Sequence, residues 1–361
     1  MTNRLPFGML VFIGIAISYL GCAKQDDSHV RTIVVGGGLL SAPSITLFGT
    51  FVIFSPDGTT IAAGSRYVYP QDYLPIRLWR VRDGGLQCTL TMSAQYVSTL
   101  TAIAFDPSGR TLATGHWNDI KIWRVSDGAL LKTLEPKSGG ITDLSFSPDG
   151  RTLASCHSAG ILILWDIESG SIIRSQWPPS IVEGPFLRAK FSPDGATLVT
   201  GVENGQIRIL RVSDGGLVRT IGTNSLEMRG FVLAQNGTTL ATSYWDGSVK
   251  IWRVGDGSLL STIKTDSSTF CSLAIDATGE LIAVGFVYRE WREGIDALWD
   301  RRDYSVKLYR TSDGTLLHSL KGHKWDVTSV KFSPDGATLA SGSMDMSVKL
   351  WDIRRLKEKG L

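Results

Sequence analysis

The sequence predicts an all-β fold, a seven-bladed β-propeller of four-stranded blades. Three observations predict it. A hairpin marker built around Pro-Asp-Gly occurs seven times, a second marker with an apolar or aromatic end follows each copy, and most copies lie about 42 residues apart. Several short strands in every period of this length are typical of a propeller, in which radial repetition leaves few open sheet edges.

The hairpin marker predicts the first two strands of each blade. It reads FSPDG in four copies and is looser in the other three, which read FDPSG, LAQNG and IDATG. Residue types alternate on both sides of the turn, as in VTSVKFSPDGATLASGS, and this pattern predicts an antiparallel hairpin. The seven copies close at Gly58, Gly109, Gly150, Gly195, Gly237, Gly279 and Gly336.

The second marker predicts the third strand. It has the form IRLW or VKLW and ends at Trp79, Trp123, Trp165, Leu210, Trp252, Tyr309 and Trp351. A turn such as Ser-Asp-Gly follows, which tolerates the positive φ of a tight hairpin, and a segment such as LLKTL then supplies the fourth strand. Both markers give the same count, so the sequence predicts seven blades.

Ring closure can also be predicted from the sequence. The chain ends soon after Trp351, so the seventh blade lacks a fourth strand in its own repeat. The segment RTIVV, at Arg31–Val35, precedes the first hairpin and is apolar enough to supply that strand. We therefore expect the N-terminal segment to complete the last blade and the propeller to comprise residues 31–361.

The first residues have the features of an export signal. Arg4 precedes an apolar run at Phe7–Leu20, which is shorter than the about 20 residues that span a membrane. The run ends at Gly21-Cys22 and polar residues follow. This resembles the lipobox of bacterial lipoproteins, although Tyr19 stands where that family usually has Leu.

The lipoprotein resemblance implies a cleaved signal peptide at residues 1–21, a lipid on Cys22 and a short tether at residues 22–30. It places the protein outside the cytoplasm in a bacterial cell envelope, on the outer membrane if there are two. An uncleaved anchor, or an ordinary secretory signal that releases a non-lipidated propeller, are the alternatives.

Residues 31–361 resemble the WD-repeat (WD40) propeller family. The stretch LKGHKWDVTSVKFSPDGATLASGSMDMSVKLWD is the best copy. In the family, four side chains of a blade share a structural hydrogen-bond network, and they map here onto His323, Ser341, Asp345 and Trp351. The fifth blade matches at Thr242, Asp246 and Trp252, but no His precedes them.

Five blades depart from the Trp-Asp pair in the same way. Each has an Arg after the aromatic position and an Asp three residues later: Arg80 and Asp83, Arg124 and Asp127, Arg211 and Asp214, Arg253 and Asp256, Arg310 and Asp313. We interpret them as solvent-exposed pairs at the strand end rather than as a binding ring.

Two long inserts indicate a candidate binding face. They occupy Ser65–Pro75 in the first blade and Phe286–Asp303 in the sixth, between the second and third strands. The family resemblance places both on the face of the Gly-His loop, and in a closed ring they flank blade 7. Aromatic residues and Arg dominate protein–protein hot spots. The predicted partner-binding residues are Tyr67, Tyr69, Tyr73, Trp117, Trp245, Tyr288, Trp291, Trp299 and Trp325. Alternatively, the inserts fold back and bury their own aromatic side chains.

Other function classes lack support in the sequence. A net charge of +3 gives no reason to expect nucleic acid binding. No GxSxG or HExxH motif is present, and His116 and His157, equivalent positions in adjacent blades, lack a ligand set for a metal. Cys88, Cys156 and Cys271 have no CxxC spacing and are predicted to be core residues.

The predicted function is therefore a membrane-anchored scaffold that binds a protein or peptide through the face of blades 6, 7 and 1. We expect a monomeric ring with no enzymatic activity, cofactor or metal. The alternative is a hydrolase or lyase that acts in the central funnel.

Overall fold

The computed structural model describes residues 30–34, 46–69, 76–91, 100–175, 186–202, 204–222, 228–265, 271–286 and 303–358. Seven antiparallel four-stranded sheets form the seven blades, which confirms the predicted propeller. Blade 1 contains β2 (Thr46–Phe54), β3 (Thr60–Tyr69), β4 (Ile76–Arg80) and β5 (Leu86–Leu90). Blade 2 contains β6 (Ala102–Phe105), β7 (Thr111–Gly115), β8 (Ile120–Arg124) and β9 (Leu130–Leu134). Blade 3 contains β10 (Ile141–Phe146), β11 (Thr152–His157), β12 (Leu162–Asp166) and β13 (Ile172–Arg174).

The remaining blades repeat this order. Blade 4 contains β14 (Phe186–Phe191), β15 (Thr197–Val202), β16 (Ile207–Arg211) and β17 (Leu217–Ile221). Blade 5 contains β18 (Met228–Leu233), β19 (Thr239–Tyr244), β20 (Ser248–Arg253) and β21 (Leu259–Lys264). Blade 6 contains β22 (Cys271–Ile275), β23 (Leu281–Phe286), β24 (Val306–Arg310) and β25 (Leu316–Leu320). Blade 7 contains β26 (Val327–Phe332), β27 (Thr338–Ser343), β28 (Ser347–Asp352) and the N-terminal strand β1 (Val30–Val34), and the helix α1 (Ile353–Glu358) follows β28.

The Pro-Asp-Gly marker forms the turn between the first two strands of a blade. In blade 1, the Asp57 carboxylate accepts hydrogen bonds from the Ser55 hydroxyl at 2.5 Å and from the Thr59 backbone N–H at 3.0 Å. Gly58 has a φ of 70°, a conformation that residues with a Cβ avoid. The same Ser-to-Asp hydrogen bond recurs in blades 3, 4 and 7, so the repeated turn sequence sets the repeated hairpin.

The ring closes through β1. This strand pairs antiparallel with β28, from Val30 opposite Trp351 to Val34 opposite Ser347. The Arg31 guanidinium also donates to the Val81 backbone carbonyl at 2.9 Å, which joins the closing strand to blade 1. The predicted closure holds, and the strand begins one residue before the predicted segment.

The core lies between the faces of neighbouring blades. Val52, Ile61 and Trp79 of blade 1, for example, pack against Val348 and Leu350 of blade 7. The innermost strands contact one another in sequence around the ring, from β2 through β6, β10, β14, β18 and β22 to β26 and back to β2. Each blade therefore buries both of its faces only when the ring is complete.

Side chains of one innermost strand satisfy the backbone of the next. Ser329 of blade 7 accepts from the Val52 N–H of blade 1 at 3.2 Å. Ser272 of blade 6 accepts from the Val330 N–H at 3.0 Å. An innermost strand has an open edge toward the axis, and these hydroxyls pair N–H groups that the sheet leaves without a ladder partner.

The insert of blade 1 differs from the prediction in its first half. Residues Ser65–Tyr69 extend β3 and pair with the start of β2, with Thr46 opposite Tyr69. The alternation of Tyr and Val in RYVY explains this, because aromatic and β-branched residues favour a strand when a partner strand is available. Residues 70–75 and 287–302, the rest of the predicted inserts, lie outside the described residues.

Within the described residues, no helix is both long and apolar enough to cross a bilayer.

Removing β1 tests the closure. A chain of residues 36–361 is expected to unfold at a midpoint at least about 5 °C below that of residues 24–361. The reason is that the backbone hydrogen bonds between the five residues of β1 and β28 are lost, at about 1 kcal/mol each. A loss of 1 kcal/mol shifts the midpoint by about 2–4 °C. Circular dichroism melting measures the midpoint, and size-exclusion chromatography should show self-association through the open β28 edge. Equal midpoints would contradict the closure.

Candidate functional site

A hydrogen-bond network in blade 7 organises one face of the ring. His323 Nδ1 lies 2.9 Å from Asp345 Oδ2, and His323 Nε2 lies 2.7 Å from Ser341 Oγ. The Trp351 indole N–H donates to the same Ser341 oxygen at 2.8 Å. A carboxylate can only accept, so Nδ1 carries a proton and donates to Asp345, and the Ser341 oxygen accepts from the indole.

The Asp345 carboxylate is the charged end of this network. Burial opposes its charge, but hydrogen bonds from His323, Ser347 and the Lys324 N–H outweigh burial and hold the pKa of Asp345 well below its usual value. His323 belongs to the loop between β25 and β26, whereas Asp345 belongs to the turn between β27 and β28. The network therefore holds these two connections together on one face, which we call the loop face.

Three other blades build a related network from different residues. In blade 2, Thr114 Oγ1 accepts from the Trp123 indole at 2.8 Å and lies 2.9 Å from His116 Nε2. In blade 3, Ser155, His157 and Trp165 repeat this arrangement. In blade 5, Trp252 donates to Thr242, which also bonds to the Tyr244 hydroxyl at 3.1 Å.

In these three blades, the imidazole or phenol side chain comes from the end of the second strand. In blade 7, the imidazole comes from the loop before the first strand. Residues two apart on a strand point to the same face, so His116 reaches Thr114 directly. Burial lowers the pKa of His157, which keeps its imidazole neutral beside Ser155. In the sequence, His116 and His157 stand out only as equivalent positions in adjacent blades. The signal of their role is a Thr or Ser two positions before each His.

Two predicted binding residues are exposed on the loop face. Trp325 follows His323 in the loop before β26 and is 56% exposed. Trp117 lies in the turn between β7 and β8 and is 60% exposed. Its indole packs against Gly140, whose missing side chain leaves the space that the ring occupies. Both tryptophans are held by the propeller and still present most of their surface to solvent.

The other predicted binding residues fall into three groups. Trp245 is half-buried and stacks against the guanidinium of Arg229, 2.9 Å from the ring centroid. Tyr67 and Tyr69 belong to the extended end of β3, where that strand reaches the loop face. Tyr73, Tyr288, Trp291, Trp299 and the predicted lipid-bearing Cys22 lie outside the described residues.

The five Arg-Asp pairs lie at the turn between the third and fourth strands of their blades. Their nitrogen-to-oxygen distances are 3.2 Å in blade 1, 2.8 Å in blade 2, 2.7 Å in blade 4, 3.1 Å in blade 5 and 3.0 Å in blade 6. Each Asp also accepts a backbone N–H of its own turn, as Asp83 does from Gly85 at 2.8 Å. All five pairs are about half exposed, so they fasten the turn and contribute little as ion pairs.

A family model described as "WD domain, G-beta repeat" matches four segments, residues 86–124, 128–166, 216–253 and 314–352. These four segments of the chain match the WD40 repeat. Each matched segment begins at or just before the outermost strand of one blade and ends with the third strand of the next. The WD40 repeat is therefore offset from the structural blade, and this offset leaves the last blade to be completed by β1.

Curated relatives match over short segments. The Periodic tryptophan protein 2 homolog of Schizosaccharomyces pombe is 31% identical over 84 residues, 23% of this chain and 8% of that protein. The Intraflagellar transport protein 122 homolog of Homo sapiens is 57% identical over 44 residues, 12% of this chain and 4% of that protein. The Serine-threonine kinase receptor-associated protein of Dictyostelium discoideum is 45% identical over 49 residues, 14% of this chain and 17% of that protein. The matches thus span less than a fifth of each relative.

A solved structure resembles the whole ring. The β-propeller domain of Myceliophteria thermophila Cps50 (Swd1) superposes with a TM-score of 0.70 over 84% of this chain and 96% of that domain, at 16% sequence identity. At this identity the likeness shows the fold alone.

The indole networks predict a difference between two otherwise matched substitutions. Thr114→Val is expected to destabilise the protein by about 2–4 kcal/mol, because it leaves the Trp123 N–H and a His116 nitrogen buried without this partner. Thr200→Val is the control. Thr200 is equally buried in blade 4, where Leu210 stands at the Trp position, and it loses only a bond to the Arg208 carbonyl, so about 1 kcal/mol is expected. Urea unfolding measures both, and equal losses would show that the network adds no stability.

Proposed function

We propose that the protein is a binding scaffold that holds a protein partner on the loop face and is tethered to a membrane by a lipid on Cys22. The observation that carries the scaffold is the pair of tryptophans, Trp117 and Trp325, each more than half exposed on one face of a rigid ring. An exposed indole is costly in water, and indoles are the side chains that contribute most to protein–protein hot spots.

The rigidity of the face supports the proposal. Trp325 is two residues from His323, and its carbonyl accepts from the Ser343 hydroxyl at 2.9 Å. The loop that presents the indole is therefore fixed at both sides before any partner arrives. Binding a partner there costs little conformational entropy of the loop, so most of the buried apolar area contributes to affinity.

The neighbouring blades widen the proposed surface. Trp325 lies in blade 7 and Trp117 in blade 2, so blade 1 with its lengthened hairpin stands between them. Blade 6, which carries the other insert, adjoins blade 7 on the opposite side. We propose that the partner contacts blades 6, 7 and 1, and that Trp117 extends this surface into blade 2.

The tether is supported by the N-terminal sequence. Arg4, the apolar run and Gly21-Cys22 follow the order of a lipoprotein signal. The closing strand begins at Val30, so only a short segment follows Cys22. An extended segment spans no more than about 3.5 Å per residue, so the propeller would lie within about 30 Å of the membrane, on the side away from the cytoplasm.

Site-specific photo-crosslinking tests the scaffold. A photoreactive residue at position 325 is expected to capture one defined protein, and Trp117→Ala should reduce the yield at least about tenfold. Leu130→Ala is the matched control, since Leu130 is also in blade 2 and is about half exposed, but on its outermost strand. Equal loss in both variants, with equal melting midpoints, would remove the loop face from the proposal.

Lipidation has a separate test. The full-length chain expressed in a bacterium is expected to carry the mass of a diacylglycerol on Cys22 and to partition into detergent, whereas Cys22→Ala should retain its signal and leave the detergent phase. Intact-protein mass spectrometry decides between them. A mature chain without added lipid would contradict the tether and leave the binding face untouched.

A further inference from the structure

Met346 has a backbone conformation that other blades reserve for glycine. It follows Asp345 in the turn between β27 and β28 and has a φ of 64°. Blades 3, 4 and 5 have Gly160, Gly205 and Gly247 at the same turn position, with φ values of 76°, 91° and 77°. A residue with a Cβ is strained in this left-handed region, so blade 7 carries a methionine where glycine would cost less.

The backbone hydrogen bonds of the turn show that these positions are equivalent. The Met346 N–H donates to the Ser343 carbonyl at 3.2 Å, as the Gly160 N–H donates to the His157 carbonyl at 3.0 Å. Gly247 closes the turn of blade 5 in the same way, at 3.1 Å. None of these bonds uses a side chain, so the turn itself does not require one at this position.

The strained turn adjoins the loop that carries Trp325. The Met344 N–H donates to the Asp326 carbonyl at 2.9 Å, and the Ser343 hydroxyl donates to the Trp325 carbonyl at 2.9 Å. Trp325 is more than half exposed, and Met344 and Met346 are half-buried. These three residues, which we call the Met–Trp patch, therefore leave apolar surface in solvent on two connections that are bonded to each other.

The charged side chains of these two connections are positive where they reach solvent. Lys321 and Lys324, in the loop before β26, are exposed. The carboxylates are withdrawn from solvent: Asp326 is buried, and Asp345 is bonded to His323 and to the Lys324 N–H, both at 2.9 Å. A partner segment that has carboxylates beside an apolar side chain therefore matches the patch in charge as well as in polarity.

We propose that Met346 is a partner-contacting residue, and that the Met–Trp patch binds a protein segment with an apolar side chain flanked by carboxylates. This inference rests on the proposed scaffold function and names the chemistry of the partner. A thioether side chain is unbranched and polarizable, so it adapts to an apolar surface, and Met and aromatic residues are enriched in protein interfaces. Strained backbone is concentrated at binding sites, where the contact with the ligand gives the strain its use.

Three substitutions separate the side chain of Met346 from its strain, with a photoreactive phenylalanine derivative at position 325 as the probe. Met346→Gly removes both, so the melting midpoint is expected to rise by about 1–3 °C and the crosslinking yield to fall at least about fivefold. Met346→Ala removes the side chain and keeps the strain, so the yield should fall equally without a rise in the midpoint. Met346→Leu supplies another apolar side chain and should retain most of the yield.

Lys137→Gly is the matched control. Among the residues that the structure describes, Lys137 is the other non-glycine residue with a positive φ, 53°, and it is exposed in the loop between β9 and β10. Its replacement relieves the same kind of strain away from the Met–Trp patch. The midpoint should therefore rise by a similar amount, while the crosslinking yield changes less than about twofold.

The crosslinked segment tests the chemistry of the partner. Digestion and mass spectrometry should place the crosslink beside an apolar residue with Asp or Glu as near neighbours. Lys324→Glu should lower the yield, because it reverses the charge that meets those carboxylates. A crosslinked segment rich in Lys or Arg, or an unchanged yield in Lys324→Glu, would overturn the proposed partner chemistry.

The outcomes separate this inference from the scaffold on which it rests. An undiminished yield in Met346→Ala would overturn the role of Met346 and leave the scaffold standing. A midpoint that does not rise in Met346→Gly would show that the methionine costs the fold nothing, and would remove the strain from the argument. If the chain with Met346 intact captures no protein from position 325, the scaffold itself fails, and this inference fails with it.

Discussion

The pairing of β1 with β28 is the constraint on which the rest of the structure depends. Each blade has two faces and can bury both only against neighbours, so an open row of blades would leave two apolar faces in water. The five residues Val30–Val34 remove that cost by supplying the last strand. The same strand brings Arg31 to the carbonyl of Val81, so the two ends of the ring are joined by backbone pairing and by a side chain.

Within the closed propeller, a buried indole N–H of the third strand ties that strand to the second strand of the same blade. In blades 2, 3, 5 and 7 the indole donates to a Thr or Ser hydroxyl. That hydroxyl also bonds to a His or Tyr side chain, which comes from the end of the second strand or from the loop before the first. Blades 1 and 6 have Ala63 and Val284 at the hydroxyl position. These are also the two blades whose sequences carry inserts between the second and third strands.

Local patterns explain how much could be predicted. The turn sequence and the strand ends determine hairpins within about 40 residues, so seven blades and their closure followed from the sequence. The role of His116 did not follow from it. The family pattern places the His in the loop before the first strand of a blade, whereas His116 stands at the end of the second strand. The extension of β3 depends on Thr46–Thr50 as a partner, which the turn chemistry alone does not show.

Function in such a ring is best sought where a repeat departs from its own consensus. The position before the marker Phe is Ser145 in blade 3, and there the hydroxyl accepts from the Phe191 N–H at 3.4 Å and supports the neighbouring edge. Blades 4 and 7 have Lys190 and Lys331 at this position, and an ammonium cannot accept an edge N–H. The same reasoning applies to Trp117 and Trp325, since a polar residue at either turn would satisfy the fold without exposing an indole.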